Sequence, residues 1–222
     1  PKHPRTVYER ILKLFLEDWD ESRRVARESR YAGFSIDRKE SFLEALAFEL
    51  TKAKARGRFA HAELISAYNA VHRRFELPAN QATAVAREIE SHTGLILERG
   101  PEEFEFFHLT IQEYLTARYL ARRGDLATTG LDLRDHPNEL AIATAWSSEP
   151  EVFILAVIRG ITHFGEYEQT AIWRAGFVSA YLDRLGFEVP RVQRSSLLGL
   201  ALLHLGHLHC QCELEFAEGD QE

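Results

Sequence analysis

The sequence predicts a mainly α protein with one small β-hairpin set among its helices. Three observations predict it. Apolar residues recur at helical spacing along most of the chain. Two short apolar stretches, Leu95 to Leu97 and Phe104 to Phe107, flank the turn residues Arg99, Gly100, Pro101 and Glu102. Beyond Gly130 only helical patterns occur.

The elements run in order. Val7, Ile11, Leu14, Phe15 and Trp19 mark one face of a first helix, which fades in the charged run Asp18 to Arg24. Asp37 is placed to cap a second helix, with Glu40 in the capping-box position and Phe42, Ala45, Leu46 and Leu50 inward. That helix ends near Gly57, after Lys52, Lys54 and Arg56, whose charge complements the negative end of the helix dipole. Leu64, Ile65, Tyr68, Val71, His72 and Phe75 form a third helical stripe, closed by Pro78. Asn80 is a candidate cap for a fourth, with Val85, Ala86 and Ile89 inward and Gly94 at its end.

The hairpin comes next, then a helix from Ile111 to Arg123 stopped by Gly124. Thr110 and Glu113 match a capping box there, and Leu109 with Tyr114 a hydrophobic staple. Three helices plus a β-hairpin, over residues 37–124 with the appended helix, give the outline of a winged helix.

Residues 125–222 read as a helical domain, a bundle or array. Asp135 and Pro137 open one helix, and Ser148 with Glu151 forms a capping-box pattern for the next. A further helix spans Tyr167 to Leu185. The segment Arg194 to Leu208 is apolar nearly all round and is expected to be buried.

With 222 residues the chain is long enough for a sizeable core, and 45% hydrophobic with 27% charged residues is an ordinary globular composition. A net charge of −7 argues against general nucleic-acid binding. Two cysteines, Cys210 and Cys212, make no disulfide framework, so a reducing, cytoplasmic setting is expected. The chain contains no methionine and begins at proline, which suggests a piece of a longer protein. Its longest apolar stretch, Leu197 to Cys210, is too short for a membrane span, so no membrane partner is expected.

His108 stands just ahead of the helix that succeeds the hairpin. A helix N-terminus carries partial positive charge and unpaired N–H groups. Spacing alone leaves two readings open: a partly buried histidine bonded to backbone, and a histidine that shares a phosphate with the helix end.

The segment Phe104 to Leu120 resembles the closing signature of NACHT-type STAND signalling NTPases, an aromatic strand and then H-x-T-x-Q-E-Y-x-x-A-x-Y-L. Here it reads His108, Thr110, Gln112, Glu113, Tyr114, Ala117, Tyr119 and Leu120. Ser91 to Leu97 resembles that family's strand entry, and Pro4 to Leu16 with Asp18-Trp19-Asp20 resembles the helix that comes after its NTPase core. One departure is Leu115-Thr116, where the family often has a bulkier pair.

The resemblance implies that residues 1–36 end a helical subdomain that comes after the NTPase core. It implies that His108 binds nucleotide, touching the β-phosphate of ADP held by the NTPase core of the same polypeptide. ADP or ATP would be the parent's cofactor, and ATP exchange would free the winged helix and permit homo-oligomerisation. Such proteins serve innate immunity or anti-phage defence.

No G-x-x-x-x-G-K-[ST] sequence is present, and no apolar strand ending in paired acidic residues, so this stretch alone is not expected to be catalytic. Its parent would be the NTPase.

Other constellations are weaker. The helix Gln81 to His92 has Arg87 as its only arginine or lysine, beside Glu88 and Glu90, and the wing carries Arg99 among Glu98, Glu102, Glu103 and Glu105. That charge pattern opposes DNA binding. A winged-helix interaction or transcription-regulatory module without NTPase activity is the alternative function. His204, His207, His209, Cys210 and Cys212 lack a clean four-ligand spacing, so no metal site is expected. Glu166, Glu168 and His163 have no accompanying nucleophile, and Trp19, Trp146 and Trp173 read as core.

Overall fold

The computed structural model describes residues 4–18, 31, 34–123, 126–162, 169–190 and 193–203. The chain divides into two compact units, Pro1–Tyr119 and Leu120–Glu222.

In the first unit, α1 (Pro4–Lys13) passes into a π-helical turn, Leu14–Asp18. Its buried anchor is Leu12, while Leu14 of the expected stripe is 48% exposed. The π-turn widens the helix and rotates the residues from Leu14 onward, so a strict 3.6-residue extrapolation breaks there. Trp19 lies outside the described residues.

Helix α2 is Ile36–Lys52. Its N-cap is Ser35, in extended conformation, and Asp37 falls inside the first turn rather than at the cap. Phe42, Ala45, Leu46 and Leu50 are buried as their spacing predicts. A short strand β1 (Arg58–Ala60) leads into α3 (His61–Val71) and a 3₁₀ turn, His72–Phe75. Helix α4 is Ala82–Thr93 and is preceded by Gln81 as N-cap, not Asn80. Asn80 instead takes a positive φ of 60° in the turn ahead of it.

Strands β2 (Ile96–Gly100) and β3 (Glu103–Phe106) form the wing. The sheet has three strands, in the order β1-β3-β2, not the two of the expected hairpin. Strand β1 pairs antiparallel with β3 in the register Arg58↔Glu105, Phe59↔Phe104 and Ala60↔Glu103. Three residues are too few to show an alternating pattern, so β1 is visible only through its pairing. The ladder between β2 and β3 is interrupted at Arg99, between Glu98 and Gly100.

Phe59, Phe104 and Phe106 turn inward, with ring centroids 5.6 to 6.1 Å from Phe59 to the other two. The strands pack against α3 and α4, and the core that α2, α3 and α4 share with them holds Phe42, Leu64, Tyr68, Val85 and Ile89. Tyr68 donates its hydroxyl hydrogen to Pro78 O at 2.7 Å, which ties α3 to the turn that the proline closes. Burial, with Tyr31 nearby, pushes its phenol up to about 12.

Helix α5 is Leu109–Ala121. Within the first unit its buried side packs along α2: Phe48 stacks on Tyr119 at 4.5 Å, and Thr51 and Thr116 share a hydroxyl hydrogen bond of 3.0 Å. Arg118 pairs with Glu40 and, at 2.9 Å, with the buried Glu44. Tyr8 of α1 stacks on Tyr114 at 3.8 Å.

In the second unit, α6 (Pro137–Trp146) has proline at its first helical position and precedes α7 (Pro150–Thr162) and α8 (Gln169–Glu188). Asp135 belongs to an earlier 3₁₀ turn, Leu133–Asp135. Ser148 lies two residues ahead of α7, so the Ser148–Glu151 capping box is not formed. Helix α6 packs on α7 and α8, with Leu140, Ala141, Ile142 and Ala143 sealed. The Thr144 and Tyr181 hydroxyls share a 2.7 Å hydrogen bond in that interior, and burial pushes the Tyr181 phenol up.

Residues 193–203 form a last helix, α9. Leu197 and Ala201 are buried, but Leu202 and Leu203 are 55% and 73% exposed, so the expectation of all-round burial fails within the described residues.

Candidate functional site

The strand-to-helix junction at His108 is built from three directions. Phe106 donates its N–H to Gly57 O at 2.9 Å, and Phe107 donates to Leu95 O at 2.9 Å. These bonds clamp the end of β3 between the connector after α2 and the start of β2. Helix α5 then begins at Leu109, with Ile111 N donating to His108 O.

The residue at the cap position of α5 is therefore His108, not Thr110 as the capping-box pattern suggests. Its Nδ1 accepts from Thr110 N at 3.2 Å and lies 2.7 Å from Thr110 Oγ1. A backbone N–H can only donate, so Nδ1 carries a lone pair and the Thr110 hydroxyl also donates to it. In the neutral ring the proton is thereby assigned to Nε2. His108 is exposed, and among the described residues its Nε2 has no hydrogen-bond partner. A donor N–H, beside the positive end of a helix, is available to an anion.

Apolar groups flank this histidine. Phe107 is 53% and Leu109 39% exposed. Phe15 approaches Phe107 at 5.1 Å, and the Leu109 side chain lies over Gly57. Leu109 and Tyr114 do not share one environment as a staple requires, because Tyr114 is sealed against Tyr8.

The next two polar residues of the signature reach back to the α2–β1 connector. Gln112, 1% exposed, accepts from Gly57 N at 2.6 Å and donates to Ala55 O at 2.7 Å and Thr51 Oγ1 at 3.1 Å. Glu113 pairs with Arg56 at 3.2 Å instead of closing a capping box on Thr110. Neither role has a local signature, because the partners lie more than fifty positions away. Only their presence in the motif singled them out.

The face that would read DNA is neutralised by its own carboxylates. Arg87 of α4 grips Glu98 through two bonds of 2.7 and 2.8 Å. Glu105 takes Arg99 at 2.5 Å and Arg58 at 3.0 Å. The Arg87 guanidinium holds the Glu98 carboxyl below the usual carboxylate range, and Arg99, then Arg58, do the same to Glu105.

Among the described residues no group of three or more histidine, cysteine or acidic side chains could hold a metal ion. No helix there is long and apolar enough to cross a membrane. His163, Glu166, Tyr167 and Glu168 lie outside the described residues, as do His204, His207, His209, Cys210 and Cys212, and the Trp173 side chain is likewise undescribed. Trp146 is half-buried at the end of α6.

Against this geometry, residues 5–120 match the family model described as a winged helix-turn-helix domain C-terminal to NACHT. No curated protein and no solved structure matches the chain.

Proposed function

The chain belongs to the family of winged helix-turn-helix domains that stand C-terminal to NACHT, and from that membership we propose that it is the regulatory part of a signalling NTPase of the innate-immune or anti-phage type. In this reading the partner of the winged helix is the NTPase core of the same polypeptide. His108 donates its Nε2–H to the β-phosphate of ADP held there and so keeps the two modules closed.

The observation that carries the reading is the division of labour in one ring. Nδ1 is occupied by Thr110, and Nε2, on an exposed residue, is left as a donor. This donor set fits an anion: one imidazole N–H beside the electropositive end of α5. ADP, when bound, supplies the negative charge that this end of the helix lacks. The paired arginines of α4 and the wing favour this reading over a transcription-regulatory module, since they leave little positive charge for a duplex.

Exchange of ADP for ATP would weaken the contact and shift the equilibrium toward an open, oligomerising state, in proportion to the difference in affinity of the two states. The stretch itself carries no P-loop, so hydrolysis belongs to the parent's core. The test is His108→Ala in the full-length parent. Purified protein is expected to retain less ADP and to signal without its trigger. Wild-type nucleotide content together with wild-type basal activity would contradict the proposal.

A further inference from the structure

Gln112 is sealed at 1% exposure, and its side-chain amide bonds to the end of α2 and to the connector after it. The placement of its oxygen and nitrogen is forced: Gly57 N–H needs an acceptor and Ala55 O needs a donor. Gly57 sits at φ +73°, in the left-handed region, so the chain turns there with both its polar groups directed to fixed partners. Its N–H goes to Gln112, and its carbonyl receives Phe106 N at 2.9 Å. Phe106 lies two residues before His108, and Gln112 is the fourth residue of the helix that His108 caps.

The geometry points to Gln112 as the positioning residue for His108. Its amide fixes the Gly57 peptide, the Gly57 peptide fixes the end of β3, and the cap on α5 fixes the ring from the other side. The direction of the Nε2–H is therefore set by a closed loop of hydrogen bonds through Gln112. An apolar side chain of the same size would fill the space but leave Ala55 O unpaired in a buried site and Gly57 N–H unpaired in a part-buried one. This inference rests on the phosphate-contact reading and adds the group that aims the donor.

The experiment measures release of a fluorescent ADP analogue from the full-length parent, for wild type, Gln112→Leu, His108→Ala, the double variant and Phe48→Leu. Phe48 stacks on Tyr119 in the same α2–α5 seam, away from the connector, and reports general loosening. Gln112→Leu is expected to speed release about tenfold, as loss of one charge-assisted hydrogen bond would. The double variant should match His108→Ala, and Phe48→Leu should release at the wild-type rate despite a lower melting temperature.

Wild-type release from Gln112→Leu, with fast release from His108→Ala, overturns the positioning role and leaves the histidine reading standing. Equal acceleration by Gln112→Leu and Phe48→Leu overturns it too, because loosening alone then suffices. If His108→Ala releases normally, the histidine reading fails. Amide exchange over residues 104–110 then decides the positioning claim: it should rise in Gln112→Leu and not in Phe48→Leu, and no difference overturns it. Should the leucine variant fail to fold, Gln112→Met, unbranched and of similar volume, replaces it.

Discussion

At His108 one ring nitrogen is engaged and, among the described residues, the other is not, and each can be tested alone. Nδ1 caps α5 through Thr110. Removing that cap with His108→Ala should cost about 1 kcal/mol of stability, whereas His108→Asn, which supplies a good N-cap oxygen, should cost less. Thermal or denaturant unfolding of the two variants checks the order. The acidic residue Glu105 offers a second test at this scale. Its pKa is depressed in the folded chain by Arg99 and Arg58, so its contribution is present above the ordinary carboxyl pKa and lost as pH falls through the folded value. A Glu105→Gln variant should therefore be slightly less stable than wild type at neutral pH and equal to it in strong acid. A gap that persists in acid would contradict this. Both arginine partners are more than half exposed, which limits the effect to a small one.

Along the elements, legibility tracked pattern length. Helices α2 and α4 carry enough turns for their apolar stripes to identify Phe42, Leu46 and Ile89 as core, and those side chains are sealed. Strand β1 has three residues and no pattern of its own. Its central side chain, Phe59, nonetheless completes the core beside Phe104. Phe59→Ala should cost roughly 3–5 kcal/mol, enough to unfold the wing-bearing unit in a moderate denaturant. Caps were legible only to within two residues. Thr110 and Ser148 look like caps in sequence, but the path of the chain off β3 hands the α5 position to His108. Two arginines whose ion pairs involve α5, Arg118 and Arg56, differ in worth. Arg118→Ala leaves the buried Glu44 without its ion-pair partner at 2.9 Å and should cost about 3 kcal/mol, while Arg56→Ala, which removes a more exposed guanidinium from the less deeply buried Glu113, should cost less, about 1–2 kcal/mol. Equal losses in equilibrium unfolding would contradict that ranking.

For the whole molecule, charge and family membership point the same way. A chain with net charge −7, whose wing arginines are paired, should show no binding to duplex DNA at physiological salt by fluorescence anisotropy. Measurable affinity that falls steeply with added salt would restore the regulatory-module alternative. The winged helix was legible in the order of its helices and hairpin, and the family in a signature that lies in one continuous stretch, Phe104 to Leu120. The Gln112 clamp was not, since it depends on a connector brought alongside only by folding. In the helical unit, a pattern apolar all round gives no facing information, which is why Leu202 and Leu203 escaped prediction as exposed. In the proposed reading, retention of nucleotide by the closed form falls to one atom, Nε2 of His108. The measurement that reaches this atom is ADP release from the full-length parent carrying His108→Gln or His108→Asn. Glutamine places an amide N–H about where Nε2 lies, whereas asparagine keeps the cap and loses the outward donor. The glutamine variant should release ADP at close to the wild-type rate, and the asparagine variant about tenfold faster. Wild-type release from both would contradict the assignment.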